Sequence, residues 1–172
     1  MTLQLERRMG VEVRAKGRRL EGYAAVFGVE TRIGNFSEII MPGAFQVSLL
    51  NRDILALVDH DHTRILGRTS SGTLRLSEDT RGLAFEIDVP DTSPGRDVLV
   101  LGDRKDLGGM SFGFTVAPDG ERWQGQRREL RAVTLHEISV VSAWPAYDGT
   151  VVAARSRMPS RLAYLHRQLE AM

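Results

Sequence analysis

Short strand-like segments follow one another along most of the chain, and residues typical of turns separate them. Alternation of apolar and polar residues over about four to eight positions is typical of a β-strand. Many short, evenly spaced strands favour a barrel or a sandwich over a parallel α/β sheet, in which a helix would follow each strand. The sequence therefore predicts a mainly β fold with a few helices (α+β). The predicted strands lie within residues 12–28 (two strands), 36–41, 54–60, 73–79, 82–90, 108–116, 121–126 and 129–144.

Three segments have the features of helices instead. Residues 42–50 begin with proline, and residues 93–106 begin with Ser-Pro, which suits a helix cap and first turn. We expect a β domain over residues 1–154, followed by a linker and an amphipathic helix over residues 155–172. The terminal segment has leucines spaced for one helix face: Leu162, Leu165 and Leu169.

The composition excludes several classes of function. A chain of 172 residues, 42% hydrophobic and 26% charged, is enough for one well-buried globular domain. Lys and Arg total 23 against 22 for Asp and Glu, so we expect neither nucleic acid nor a membrane as the main partner. Without cysteine there is no disulfide and no thiol nucleophile. No signal peptide or membrane span is recognisable, which indicates action in the cytoplasm where the protein is made.

The segment GGMSFGFTV (108–116) contains the first candidate for chemistry. In a strand, Ser111 shares one face with Gly109, Gly113 and Thr115, while the large side chains lie on the other face. A serine hydroxyl with a glycine two positions away on either side suggests a nucleophile on a face cleared of bulk. Two alternatives stay open: a bulge or close backbone packing that happens to include a serine, and the G-x-S-x-G nucleophile elbow. The elbow requires a helix after the strand, whereas the following residues have the pattern of strand and turn.

A serine hydroxyl needs a base to take its proton, and the histidines are the natural candidates. His60 ends an apolar segment, whereas His62 follows it in a polar loop. Two histidines around an aspartate could bind a metal, but zinc needs three or four ligands and no third ligand is evident. We therefore expect no metal and no cofactor. The alternative for His60 is a hydrogen-bonded histidine at a strand end, and the chain's other two histidines are His136 and His166.

An acidic residue lies in the very apolar segment TLHEISVV. Alternation puts Glu137 on the same face as Val133 and Leu135. Burying a carboxylate there is costly unless it is paired or hydrogen-bonded. A histidine that becomes imidazolium during catalysis is a suitable partner. The alternative is a structural ion pair with an arginine such as Arg128 or Arg131.

These segments occur in an order that is specific as a set: GYAAVFG, EIIMPGAF, HDHTRILGR, GLAFEIDVP with DTSPGRD, GGMSFGFTV and LHEISVVSAWPAYDGT. The set resembles the prohead (capsid-maturation) proteases of tailed phages, whose fold is similar to that of the herpesvirus assemblin proteases. The resemblance covers roughly residues 10–154. It implies an assemblin-like, closed or partly open β-barrel of about seven strands with short helices around it.

The resemblance also implies a serine protease whose catalytic residues follow in the order His, Ser, Glu. The family pattern has its histidine seven residues before the glycine of a Leu-Gly pair, here Gly67, which selects His60 over His62. The implied nucleophile is Ser111. The implied acid is Glu137, where assemblins have a second histidine.

Substrate binding is the expected role of the glycines beside the serine, Gly109 and Gly113, which would let a peptide backbone approach. The donors of an oxyanion hole stay open, because the segment VSAWPAYDG lacks the arginine that assemblins use. The candidates are backbone N–H groups near Ser111 and an arginine of the pair Arg127–Arg128.

The implied function is capsid maturation inside the assembling prohead, in the host cytoplasm. The expected substrates are the scaffold portion of the major capsid protein, or a scaffold protein, and the protease itself; a homodimer is an open alternative to a monomer. A function of a different class also stays open, namely a catalytically silent β-barrel that acts as a scaffold or assembly module.

Overall fold

The computed structural model describes residues 4–10 and 12–143, so the domain edge and terminal helix expected after residue 154 lie outside the described residues. The described part contains thirteen strands and two helices. The helices are α1 (Gln46–Asn51) and α2 (Ser93–Asp103). The strands are β1 (Glu6–Gly10), β2 (Glu12–Lys16), β3 (Arg19–Val26), β4 (Thr31–Ile33), β5 (Phe36–Ile40), β6 (Leu55–Val58), β7 (Asp61–Arg68), β8 (Leu74–Glu78), β9 (Gly82–Asp88), β10 (Gly109–Val116), β11 (Glu121–Gln124), β12 (Arg127–Leu130) and β13 (Val133–Val141).

The strands form three sheets. The five-stranded sheet has the order β1-β10-β13-β6-β7, the β3 sheet has the order β2-β3-β9-β8, and the β5 sheet has the order β11-β12-β5-β4. Most neighbouring strands are antiparallel, but β12 pairs with β5, and β13 with β6, in parallel. The mainly β class is confirmed. The barrel of about seven strands is not, because the thirteen strands of the described part lie in three sheets and none of these closes.

The separation into sheets has a local cause in the segment predicted as one strand, residues 129–144. The N–H groups of Arg131 and Ala132 both donate to the carbonyl oxygen of Gly120, at 2.7 and 3.0 Å, instead of joining a ladder. The chain therefore changes direction between β12 and β13. As a result β12 enters the β5 sheet, whereas β13 enters the five-stranded sheet.

Other predicted elements are present with shifted boundaries. The hairpin of β8 and β9 is confirmed. Helix α1 begins at Gln46 rather than at Pro42, because residues 42–45 form turns in which Gly43 has a φ of 90°, outside the helical region. Helix α2 is capped by Thr92, whose hydroxyl accepts a hydrogen bond from the Gly95 N–H at 3.3 Å.

The main core lies between the five-stranded sheet and the β3 sheet. Phe112 of β10 is central to it, with ring centroids 5.6 Å from Phe45 and 5.4 Å from Phe114. Burying each such ring contributes roughly 1.5–3 kcal/mol. The core holds β10 and β13 rigidly and thereby positions the residues on their opposite face. Its members include Leu20, Ala24, Phe85 and Ile87 of the β3 sheet, and Ala56, Val58, Met110, Phe112, Phe114, Ile138 and Val140 of the five-stranded sheet.

A buried network of charges joins the five-stranded sheet to the β5 sheet. Arg8 of β1 donates two hydrogen bonds to the Glu38 carboxylate of β5, at 2.6 and 2.8 Å. Arg128 of β12 donates to Glu38 at 3.0 Å and to Glu6 of β1 at 2.6 and 2.8 Å. Burial alone would raise the pKa of Glu6, but the bonds and charges of Arg128 and Arg8 hold that pKa below its usual value. Each charge removed from water is thus compensated by its neighbours.

The network predicts a large effect for Glu38→Ala. The substitution leaves the Arg8 and Arg128 guanidinium groups short of a buried partner, which costs about 3–5 kcal/mol of unfolding free energy. Glu86→Ala is the matched control, because Glu86 is 46% exposed and pairs with Arg75 at 3.2 Å on the surface, where ion pairs contribute about 0–1 kcal/mol. Urea unfolding of both variants measures the difference, and equal losses would contradict the role given to the network.

Candidate active site

His60 lies in the two-residue turn that connects β6 to β7. Val58 pairs with Asp61, so the turn consists of Asp59 and His60, with φ values of 51° and 61°. Turns with positive φ at both positions suit hairpins and usually carry glycine, asparagine or aspartate. A histidine in this left-handed region costs of order 1–3 kcal/mol, which is typical of functional sites. His60, predicted to lie at the end of a strand, therefore lies in a strained turn.

The turn is attached to the end of β13 by its first residue. The Asp59 N–H donates to the carbonyl oxygen of Val140 at 2.9 Å. The Asp59 carboxylate accepts from the N–H and the hydroxyl of Ser142, at 2.8 and 2.6 Å. These bonds stabilise the left-handed backbone of the turn and fix the position of the histidine that follows.

The ring of His60 is bonded to Glu137. The distance between His60 Nδ1 and Glu137 Oε1 is 2.6 Å, and the two side chains are only 6% and 4% exposed. Because a carboxylate oxygen accepts, Nδ1 donates in this bond, which leaves Nε2 as the ring nitrogen that can act as an acceptor. Nε2 is buried and has no hydrogen-bond partner among the described residues.

An extra residue in β13 turns Glu137 away from the core. Gly113 pairs with Glu137 and Phe114 pairs with Leu135, so His136 has no opposite residue and forms a bulge. Leu135 therefore stays in the core, while Glu137 lies on the opposite face. The prediction that Glu137 shares a face with Leu135 was wrong, because strict alternation does not hold across a bulge.

Ser111 lies in the middle of β10, on the same face as Glu137. It pairs with Ser139 of β13, and residues directly opposite each other in an antiparallel pair share a face. The His60 N–H donates to the Ser139 hydroxyl at 3.2 Å, so the histidine turn lies over this part of the sheet. Ser111 is fully buried, and its Oγ has no hydrogen-bond partner among the described residues. The nucleophile-elbow alternative is wrong, because β10 continues as a strand beyond Ser111.

The structure thus brings His60, Ser111 and Glu137 together on one face of the five-stranded sheet. It places His62 elsewhere, exposed on β7 and not in the predicted polar loop. The described residues contain no group of three or more histidine, cysteine, aspartate or glutamate side chains that could hold a metal ion.

A model of the caudovirus prohead serine protease family matches residues 6–162 of the chain. The chain belongs to this family. The resemblance to the prohead proteases of tailed phages is therefore confirmed. No curated protein matches the chain.

One solved structure with a similar fold is that of the bacteriophage T4 capsid assembly protease, gp21. The TM-score is 0.55, the sequence identity is 10%, and the match covers 82% of this chain and 98% of that chain. At this identity the likeness concerns the fold alone. Among the residues described here, no helix is long and apolar enough to cross a membrane.

In this member of the prohead serine protease family, Gly113 has a specific steric role. A Cβ atom at this position would overlap Oε1 of Glu137. The space beside Gly113 thus holds the carboxylate that binds His60. Gly109, with a φ of 128°, instead borders a cleft of about 480 Å³ lined by Val13 and Leu107 among others. A role of either glycine in binding substrate stays a prediction.

Arg7, which no motif in the sequence indicates as a site residue, lies beside Glu137. Arg7 of β1 pairs with Gly113, and its Nε is 4.0 Å from Oε1 of Glu137. This Nε is buried and has no hydrogen-bond partner within the described ranges. Arg7 and Arg8 are adjacent and chemically identical, and only the pairing of β1 directs one to the candidate site and the other to the charge network. No local signal distinguishes them.

Neither of the two arginines given as example partners of Glu137 pairs with it, and the arginine beside this carboxylate is Arg7. Arg128 is bonded to Glu6 and Glu38 in the charge network, and Arg131 is bonded to Glu129 at 2.7 Å. The pairings follow from strand order and not from proximity in the sequence. Because its donors are used in the network, Arg128 is also a poor oxyanion donor.

Gly113→Ala tests the close approach of Glu137. The added methyl group should displace the carboxylate and break its bond to His60. We expect the downfield proton NMR resonance of the His60 Nδ1–H to disappear. Gly102→Ala is the control, because its Cβ would meet the flexible end of Leu107 and the Ala15 methyl group, away from the site. An unchanged resonance in a folded Gly113→Ala protein would contradict the assigned geometry.

Proposed function

We propose that this protein is a serine endopeptidase of phage capsid maturation, with Ser111 as nucleophile, His60 as base and Glu137 as the orienting acid. The observation that supports it most is the state of two atoms. Ser111 Oγ and His60 Nε2 are both buried and lack a hydrogen-bond partner among the described residues, while Nδ1 is bound to Glu137 at 2.6 Å. Buried polar atoms are almost always hydrogen-bonded. Two buried polar atoms without hydrogen-bond partners on one face therefore support a role for both groups in bonding to a reacting substrate.

In the proposed reaction, Ser111 Oγ attacks the carbonyl carbon of the scissile peptide while His60 Nε2 takes the hydroxyl proton. The proton then passes to the leaving amine as the C–N bond breaks, and an acyl-enzyme ester remains. Water attacks the ester and gives its proton to His60, which returns it to Ser111 as the acid product leaves. Glu137 stays ionised and stabilises the imidazolium, with its charge held against Nδ1 throughout.

The proposed substrates are the scaffold portion of the major capsid protein, or a separate scaffold protein, and the protease itself. The site of action is then the inside of the assembling prohead, in the host cytoplasm. Two findings support this: the family is that of prohead serine proteases, and the T4 protein of similar fold is named a capsid assembly protease.

One observation favours the second candidate function, a catalytically silent scaffold or assembly module of the capsid. Ser111 has no exposed surface, and no hydrogen bond joins its Oγ to His60. Catalytic hydrogen bonds are often long in a free enzyme and tighten only with substrate. Labelling of the serine therefore distinguishes the two functions.

A fluorophosphonate probe should label the wild-type protein at Ser111. The Ser111→Ala protein should fold, because the change removes only a hydroxyl group. It should neither label nor cleave a co-expressed coat protein, as read by intact mass. Ser77→Ala, on the surface strand β8, is the control and should label like the wild type. A wild-type protein that takes up no probe and leaves the coat protein intact would establish the silent module instead.

His60→Ala should slow labelling by several orders of magnitude, because the serine loses its general base. His62→Ala should cost little, since this side chain is exposed on β7. The second-order labelling rate constants of the two variants give the comparison. Equal losses would mean that His60 is not the base.

The segment between Ala153 and Ser160 is a predicted site of self-cleavage, although it lies outside the described residues. Its sequence predicts an extended, accessible stretch, because Pro159 disfavours helix at Met158. A protease encounters its own tail at high effective concentration. We expect wild-type protein to lose this tail during prolonged incubation, whereas Ser111→Ala keeps its full mass. A wild type that cleaves coat protein but keeps its tail would contradict the idea.

A further inference from the structure

We propose that Ser139 is a positioning residue for the His60–Glu137 pair, an inference that rests on the proposed function. Its hydroxyl donates to Glu137 Oε2 at 2.6 Å and accepts the His60 N–H at 3.2 Å. Ser139 has no exposed surface. One hydroxyl has one proton and two lone pairs, so it can make both bonds at once.

The two bonds complete a closed cycle around the histidine. Glu137 Oε1 binds the ring of His60, Glu137 Oε2 binds the Ser139 hydroxyl, and the hydroxyl binds the backbone of His60. Both the ring and the main chain of the histidine are thus tied to one carboxylate. A single bond to the ring would leave Glu137 and His60 free to rotate together, whereas a cycle fixes their relative orientation.

The cycle also provides hydrogen bonds for buried polar groups that would be energetically costly without them. Glu137 is 3% exposed, and a buried carboxylate oxygen without a donor costs several times the value of an ordinary hydrogen bond. The His60 N–H belongs to a residue with a φ of 61°, a conformation that needs support from its surroundings. Ser139 supplies both the donor and the acceptor.

Ser139 and Ser111 lie opposite each other on neighbouring strands, yet their hydroxyls differ in chemistry. The Ser139 proton is given to a carboxylate, and its oxygen already accepts an amide. The Ser111 hydroxyl has neither bond within the described part of the chain. We therefore assign Ser139 to orientation and not to attack.

Ser139→Ala should slow the covalent step of fluorophosphonate labelling by about 10²-fold, since a displacement near 1 Å has that effect. In this step Ser111 Oγ bonds to phosphorus, fluoride leaves, and His60 takes the proton. The maximal labelling rate should fall, while the probe concentration at half-maximal rate stays the same, because the Ser139 hydroxyl is already bonded to Glu137 and to the His60 N–H and has no free proton for the probe. The downfield resonance of the His60 Nδ1–H should shift or broaden.

Ser48→Ala is the matched control. Ser48 of α1 is 2% exposed, donates to the Val133 carbonyl oxygen at 2.8 Å and accepts the Leu135 N–H at 2.9 Å. It therefore loses the same number of buried bonds at the other end of β13. We expect a fall in melting temperature that is smaller than that of Ser139→Ala, because no carboxylate loses its donor, together with a normal labelling rate and a normal resonance.

Ser139→Cys keeps a weak donor and acceptor, and should fold with a labelling rate between those of wild type and Ser139→Ala. It carries the test if the alanine variant does not fold. If a folded Ser139 variant shows the same labelling rate and resonance as an active wild-type protein, the positioning role is overturned. The proposed function is then left intact. Absence of labelling in the wild type itself would instead overturn the proposed function and this inference with it.

Discussion

The candidate site depends on how β10 pairs with β13, and above all on the extra residue His136 in that pairing. A strand presents alternate residues to two faces, so a single inserted residue reverses the assignment beyond it. Leu135 packs in the core before the bulge and Ile138 packs there after it, while Glu137 faces the other side. The same sheet thereby has a largely apolar core face, to which β1 adds Arg8, and a polar face with Ser111 on it. The core supplies the rigidity that the polar face needs.

Because the polar face is buried, a polar group on it that lacks a hydrogen bond is costly and requires a functional explanation. A histidine in a left-handed turn costs of order 1–3 kcal/mol. The hydrogen bonds that the Ser142 N–H donates to Asp59, and that the His60 N–H donates to Ser139, each contribute about 1 kcal/mol. The end of β13 therefore stabilises the strained turn, and the same strand carries Glu137. Among the buried atoms without hydrogen-bond partners in the described part, Ser111 Oγ and His60 Nε2 are the ones that the proposed chemistry uses, and Arg7 Nε is a third such atom on this face.

The pairing of the strands also determines which charged side chains form ion pairs. The chain has nearly equal numbers of basic and acidic residues, so composition alone permits almost any pairing. Strand β1 has alternate faces, and for this reason Arg7 reaches Glu137 whereas Arg8 reaches Glu38. The buried network joins the β5 sheet to the five-stranded sheet, which explains how two open sheets remain together without closing into a barrel.

The sequence by itself determined the β class, the hairpin of β8 and β9, and the family, through motifs whose signals are local in the chain. It also singled out His60, Ser111 and Glu137 as candidates. Only the tertiary structure decided the bulge at His136, the left-handed turn and the bonds of Ser139. It decided as well that the strands form three open sheets. The reason is physical: the bulge, the bonds that hold the turn and the order of the sheets all depend on contacts between strands distant in the chain, and a one-residue change of register alters every partner without altering any local pattern.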